Sequence, residues 1–212
     1  MDTLILPVSS PDALPRALEV LRGGGLVAFP TDTVYGVGAL AFDAVAVESI
    51  YAAKNRPYEK AIPVLIGGVD DLAKVTASVP PMALTLAARF WPGPLTLVVP
   101  KHPDLPEAVS ATATVGVRVP DHPAARMLLQ AAGPMAVTSA NLSGQANPST
   151  AAEVLTQLTG RIVLILDGGK TPGGVPSTVV DCVGAEPKIL REGPITRGEI
   201  ARALGLELLE SV

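Results

Sequence analysis

Gly25-Leu26-Val27-Ala28-Phe29-Pro30-Thr31-Asp32-Thr33-Val34-Tyr35-Gly36-Val37-Gly38 runs from an apolar stretch into a loop of hydroxyls, one carboxylate and glycines. Leu26 to Phe29 reads as a buried strand, because a short apolar run bounded by glycine and proline is too brief for a helix. The same pattern recurs at Ile62 to Ile66, Leu95 to Val99, Val115 to Val119, Met135 to Val137, Ile162 to Leu166 and Thr178 to Val180. Between several of these lie helix-period segments: Leu14, Leu18 and Leu21 share one face, and so do Val47, Ile50 and Tyr51. Ser10 before Pro11 predicts an N-cap, Gly23-Gly24-Gly25 predicts the end of that helix, and Thr196 with Glu199 has capping-box spacing. Strands alternating with helices predict an α/β domain whose ligands gather where strands empty into polar loops.

The 212 residues contain no Gly/Ser-rich or charged linker, so one compact domain over residues 1–212 is expected. A hydrophobic share of 48% supplies a large core, whereas an aromatic share of 3% leaves its packing to aliphatic side chains. No basic and apolar leader opens the chain, and no apolar run reaches about 18 residues. A cytoplasmic chain without a membrane span is therefore expected. Cys182 is the only cysteine, which excludes an internal disulfide and a thiolate zinc cluster. His102 and His122 each adjoin a proline and have no serine or carboxylate at triad spacing. Gly169-Lys170-Thr171 resembles the end of a P-loop, but Leu164 holds the earlier glycine position and Pro172 follows at once, which favours a turn. The net charge of -4 excludes a global cationic field for nucleic acid, so an anionic ligand must meet a local cluster.

Such clusters exist. Lys54-Asn55-Arg56-Pro57-Tyr58-Glu59-Lys60 closes a predicted helix with three cations, which suit either a solvated helix end or a triphosphate. Phe90-Trp91-Pro92-Gly93-Pro94-Leu95-Thr96-Leu97 joins a helix to a strand through a rigid corner. Arg118 stands inside the otherwise apolar Val115 to Val119, where a buried charge needs a partner or a ligand. Ala136 to Gly144, Asp167-Gly168-Gly169, Pro176 to Asp181 and Ile189-Leu190-Arg191 add further polar groups at strand ends. Gly168 to Pro176 reads as either a lid or a static turn.

In this order the motifs resemble the YrdC/TsaC family of threonylcarbamoyl-adenylate synthases, over roughly residues 10 to 204. The most specific element is Lys54-x-Arg56 paired with Ser139-x-Asn141, supported by PTDTVYG, WPGPLTLV, VRVPDHP, TSANLSG and STVVD. The resemblance implies an α/β fold in which a twisted mixed sheet flanked by helices surrounds a large concave cleft, positive inside. It implies a nucleotidyltransferase that forms L-threonylcarbamoyladenylate and pyrophosphate from L-threonine, bicarbonate and ATP, with Mg2+ carried on ATP and no dedicated metal site. By motif position Lys54, Arg56, Ser139 and Asn141 would be catalytic. Thr33, Arg118, Ser139 and Ser177 would contact threonine, and Arg56, Lys60, Thr114, Asn141, Ser149 and Arg191 the nucleotide. Lys54 would sit among the phosphates or at the carbamate. The product would pass to a separate tRNA threonylcarbamoyl-transfer complex, as in the short bacterial form.

One position departs from the pattern: Leu65 stands where many relatives carry a histidine assigned to threonine. Two rival readings stay open. One is a noncatalytic RNA-binding protein using the same concavity; the other is a carbamoyl-adenylate-forming maturation module, which usually sits in a longer chain with zinc-binding cysteines. The last segment, Gly205 to Val212, extends the final helix or frays.

Overall fold

The computed structural model describes residues 2–172 and 174–206, so the expectation for the final segment lies, from residue 207 onward, outside the described residues. Ten strands form one sheet: β1 (Leu4–Pro7), β2 (Val27–Phe29), β3 (Gly36–Leu40), β4 (Val64–Leu65), β5 (Leu95–Pro100), β6 (Thr114–Arg118), β7 (Met135–Ser139), β8 (Leu164–Asp167), β9 (Thr178–Asp181) and β10 (Lys188–Arg191). Their spatial order is β1-β8-β2-β3-β7-β4-β6-β5-β9-β10. The sheet is mixed: β1 and β2 both run parallel to β8, β4 to β6 and β5 to β9, while the remaining neighbours are antiparallel. Among the described residues seven helices flank it: α1 (Ala13–Arg22), α2 (Ala44–Lys54), α3 (Leu72–Val75), α4 (Pro81–Phe90), α5 (Pro123–Ala132), α6 (Ala151–Leu158) and α7 (Arg197–Ala203). None of these helices is long and apolar enough to cross a membrane, among the described residues.

Strand alternation divides the core between the two sheet faces. Ala28, Val37, Val64, Leu95, Leu97, Val117 and Val180 point to one face and pack with residues of α2, α4 and α6 in the larger core. Val27, Phe29, Leu65, Met135, Val137 and Leu164 point to the other, where Ala17 and Leu21 of α1 and Leu128 and Leu129 of α5 cover them. Those two helices cover the β8-β2-β3-β7 end of that face. Across β6, β5 and β9 the same face carries Gly116, Arg118, Thr96, Val98, Ser177 and Val179, and these line an open cleft.

The strand pattern in the sequence finds seven of these elements and the Arg191 strand end, but misses β1 and β3. β1 is an edge strand with Leu4 43% and Ile5 36% exposed, so it carries no buried apolar signature. β3 is Gly36-Val37-Gly38-Ala39-Leu40, whose glycines read as loop. They are needed because the neighbouring strand approaches closely: a Cβ at Gly38 would meet the Ala136 carbonyl oxygen at 2.6 Å. The first helix also starts later than predicted. Asp12 holds the N-cap position without a side-chain bond, and Ser10 Oγ instead accepts the Asp12 N–H at 3.3 Å. Its most buried stripe is Ala13, Ala17, Val20 and Leu21, with Leu14 and Leu18 half-buried beside it.

The predicted capping box is present: Thr196 Oγ1 accepts the Glu199 N–H at 3.3 Å, while Glu199 Oε2 accepts the Thr196 N–H at 2.8 Å. Thr196→Ala is expected to lower stability by about 1 kcal/mol, read as a shift in the urea midpoint at unchanged slope. Cys182 is a buried core residue whose thiol burial pushes up to about 12, so it offers no thiolate at neutral pH.

Candidate active site

The cleft encloses about 350 Å³ over the uncovered part of the sheet. Its floor is kept low by glycine: a Cβ at Gly116 would meet Thr96 Cγ2 at 3.0 Å. Six of the residues expected from sequence line it together, namely Thr33, Arg56, Arg118, Ser139, Ser177 and Arg191. Lys60, Thr114 and Ser149 are not among the lining residues. Lys60 is exposed and offers its carbonyl to Arg56, Thr114 Oγ1 lies 3.1 Å from Thr112 Oγ1, and Ser149 Oγ donates to Glu153 Oε2 at 3.1 Å. Lys54 and Asn141 do not line the cleft either, but stand directly behind Ser139.

Lys54 is brought there by α2. Asp43 Oδ1 caps the helix by accepting the Ala46 N–H at 3.0 Å, and Asn55, left-handed at φ 51°, ends it. Lys54 is 1% exposed. Its ammonium donates to the carbonyl oxygens of Ser139 and Asn141, and to Asn141 Oδ1 at 3.4 Å. Ser139 Oγ in turn donates to Asn141 Oδ1 at 2.5 Å, and Asn141 Nδ2 donates to the carbonyls of Leu142 and Gln145 at 2.9 and 2.7 Å. The Lys54-Ser139-Asn141 part of the tetrad is thus one hydrogen-bonded unit at the end of β7. Burial, with Arg56 adding to it, pulls the Lys54 ammonium down to about 7.

Past Asn55 the chain reverses, and Arg56 turns toward the cleft. Its Nε donates to the Lys60 carbonyl at 3.0 Å and its Nη2 to the Ala61 carbonyl at 2.9 Å, which fixes the guanidinium against its own loop. Burial lowers the pKa of Arg56 and also of Arg191, where the neighbouring charges of Arg118 and Arg56 add to the effect. Arg191 Nη2 donates to Ser177 Oγ at 3.1 Å, and that oxygen lies 2.8 Å from Thr96 Oγ1.

Arg118 answers the question raised by a charge within an apolar strand. Its Nε donates to the Gly93 carbonyl at 3.0 Å, its Nη1 to Thr33 Oγ1 at 3.1 Å, and its Nη2 to Asp32 Oδ1. Leu65, its register partner on β4, lies on the same face and also lines the cleft. The position that carries histidine in many relatives is therefore an apolar part of the wall. The Gly168 to Pro176 segment is tied at several points: Tyr35 Oη donates to the Gly169 carbonyl at 2.7 Å, Thr171 N–H to the Ser149 carbonyl at 2.8 Å, and Gly174 N–H to the Thr33 carbonyl at 2.9 Å. These bonds hold residues 169, 171 and 174 at the cleft edge.

Thr96 and Asp32 also belong to the site but lie outside the motif-based assignments, Thr96 in the cleft lining and Asp32 behind it. Thr96 sits between Leu95 and Leu97, and the alternation of that strand is the signal that turns it to the opposite face. Asp32 is the single carboxylate of the opening stretch; it backs Arg118 and does not line the cleft.

A model of the family described as "Telomere recombination" (Sua5, YciO, YrdC) matches residues 19–193. A threonylcarbamoyl-AMP synthase of Bacillus subtilis is 45% identical over 195 residues, 91% of this chain and 56% of that protein. The chain thus spans little more than half the length of that relative. A Mycobacterium tuberculosis protein is 42% identical over 192 residues, 90% of this chain and 88% of its own length. The structure of Pyrococcus abyssi Sua5 complexed with L-threonine superposes with a TM-score of 0.92 at 40% identity, covering 96% of this chain and 61% of that one. Family model, relatives and solved structure agree over most of the chain, and the chain belongs to the Sua5/YciO/YrdC family.

Proposed function

We propose that this chain is an L-threonylcarbamoyladenylate synthase, a nucleotidyltransferase acting as one catalytic domain. The observation that carries the reading is electrostatic. Lys54 and Arg118 are 1% and 6% exposed, Arg56, Arg118 and Arg191 line the cleft with Lys54 behind it, and among the described residues the only carboxylate bonded to any of the four is Asp32 on Arg118. Four cations with one carboxylate among them, two of the four buried, in a chain of net charge -4, suit an anionic ligand that enters and compensates them. The reactants of this activity, ATP and a carbamate, are both anionic. The relatives named threonylcarbamoyl-AMP synthase, and the threonine bound to Pyrococcus abyssi Sua5, favour this reading over a noncatalytic RNA-binding protein or a carbamoyl-adenylate module.

In the proposed reaction the threonine amine and bicarbonate give the N-carboxy species with loss of water. A carbamate oxygen attacks the ATP α-phosphorus; the new O–P bond forms as the Pα–O bond to pyrophosphate breaks. No covalent protein nucleophile takes part. The protein aligns two anions and offsets charge on the phosphoryl oxygens. We assign that task to Arg56 and Arg191 from the cleft walls, and to Ser139 presented by the Lys54-Asn141 unit. Arg118, Thr33 and Ser177 hold threonine, with Leu65 in the wall. Thr114 and Ser149 reach the nucleotide only if their present bonds are exchanged, and Lys60 only if its exposed side chain swings to the cleft. Mg2+ arrives on the ATP phosphates as part of the substrate, with no protein carboxylate assigned to it. The adenylate then passes to a tRNA threonylcarbamoyl-transfer complex.

Pyrophosphate release from ATP is expected with threonine and bicarbonate together and to fall to background when either is omitted. Release that continues without threonine overturns the reading. Turnover supported by carbamoyl phosphate instead of both co-substrates assigns the chain to the maturation chemistry, and salt-dependent RNA binding without turnover assigns it to RNA.

A further inference from the structure

We propose that Asp32 is a positioning residue: it holds the Arg118 guanidinium in the one orientation that leaves its free N–H groups to a substrate carboxylate. The proposal rests on the threonine reading above and names how that subsite is kept in register.

The loop between β2 and β3 sorts its side chains to two sides. Thr31 and Thr33 line the cleft while Asp32, between them, does not. Thr31 Oγ1 fixes the sorting, since it accepts the Thr33 and Val34 N–H groups at 3.2 and 3.3 Å and donates to the Val34 carbonyl at 2.6 Å. Asp32 is thereby directed behind Arg118. Its Oδ1 accepts from Arg118 Nη2 and from the Asp121 N–H at 3.1 Å, so the carboxylate is anchored to backbone leading into α5 as well as to the arginine. Arg118 is buried and Asp32 mostly so, their side chains 7% and 12% exposed.

A guanidinium has five N–H groups in a fixed plane. Three are committed in three directions: Nε to Gly93, Nη1 to Thr33 and Nη2 to Asp32. Three such bonds determine both the position and the rotation of the plane. One N–H on each Nη then remains, which suits the paired oxygens of a carboxylate. Gly93 and Thr33 alone would leave the Nη2 edge unheld, and the buried charge without its counter-ion. Oδ2 of Asp32 is buried with no hydrogen-bond partner, so the carboxylate is held by one oxygen. That one oxygen makes the arrangement sensitive both to the length and to the charge of the side chain at this position.

The test compares the parent with Asp32→Asn and Asp32→Glu in the pyrophosphate assay, varying threonine and ATP separately, alongside thermal melts. Asparagine keeps the length and removes the charge; glutamate keeps the charge and displaces the oxygen. We expect the threonine KM to rise about tenfold or more in both, with kcat and the ATP KM within about twofold of the parent, the pattern of lost ground-state binding. If asparagine prevents folding, the glutamate variant alone carries the test. An unchanged threonine KM in the folded variants overturns the proposal. So does an ATP KM that rises in step with the threonine KM and with the loss of Tm, which marks Asp32 as structural. A parent that releases no threonine-dependent pyrophosphate overturns the threonine reading and the proposal with it, and the parent arm separates that outcome from the others.

Discussion

Arg56→Ala is expected to fold and to lose between about 100-fold and 1000-fold in kcat for pyrophosphate release, the range typical of deleting one aligned donor to a developing anion. Folding survives because the two carbonyls that accept from Arg56, those of Lys60 and Ala61, belong to exposed residues that water can reach once the side chain is gone. Turnover does not survive because those same two bonds preorganise the guanidinium. Held by Nε and one N–H of Nη2, it presents its remaining donors to the cleft without reorganisation when charge builds on the phosphoryl oxygens. Arg56→Lys restores a charge but not the planar fork, so it is expected to recover only a small part of the loss. Circular dichroism and a melt establish folding, and single-turnover pyrophosphate release reads the chemical step. Wild-type release by Arg56→Ala would remove Arg56 from the mechanism.

Arg56 was legible in the sequence because three cations crowd a helix end and Lys54-x-Arg56 resembles a family motif, and so was Arg118, because a charge inside an apolar strand needs an explanation. The location of the cleft was less so. Polar strand ends direct attention to the rim of a sheet, whereas Thr96, Arg118 and Ser177 meet on a sheet face that α1 and α5 leave uncovered. Which part of a face stays bare depends on where two helices separated by about a hundred residues come to rest, and no local pattern records that. Glycine misled for a similar reason. In β3 it marks close packing against β7 and not a loop, and that distinction is a property of the neighbouring strand. Thr114 and Ser149 were named by motif position alone, and their hydroxyls bond to Thr112 and Glu153 nearby, while Lys60, named also as part of a cation cluster, is exposed; none of the three lines the cleft.

The fourth cation behaves differently, and Lys54→Met is expected to give opposite pH signatures in stability and in activity. The folded pKa of Lys54, about 7, lies below the ordinary 10.5. Between those values the unfolded chain binds the extra proton, so this residue makes stability rise with pH across the window from about 7 to 10.5, at up to roughly 1.4 kcal/mol per pH unit. Lys54→Met is expected to remove that rise, measured as urea unfolding at pH 7, 8 and 9. Activity runs the other way. Only the ammonium has three protons for the Ser139 carbonyl, the Asn141 carbonyl and Asn141 Oδ1, the bonds that set the Ser139 hydroxyl at the cleft wall. In the parent, kcat/KM for ATP is therefore expected to fall as pH rises through about 7, because that ratio reports the free protein. Lys54→Met is expected to lose on the order of 100-fold or more at pH 6.5, with no inflection remaining near neutrality. A bound polyphosphate favours the ammonium, so kcat at saturating ATP should hold to higher pH than kcat/KM. If the parent profile is flat from pH 6 to 9 while Lys54→Met is inactive, the side chain acts through packing and not through its proton, and the electrostatic role then passes to Arg56 and Arg191 alone.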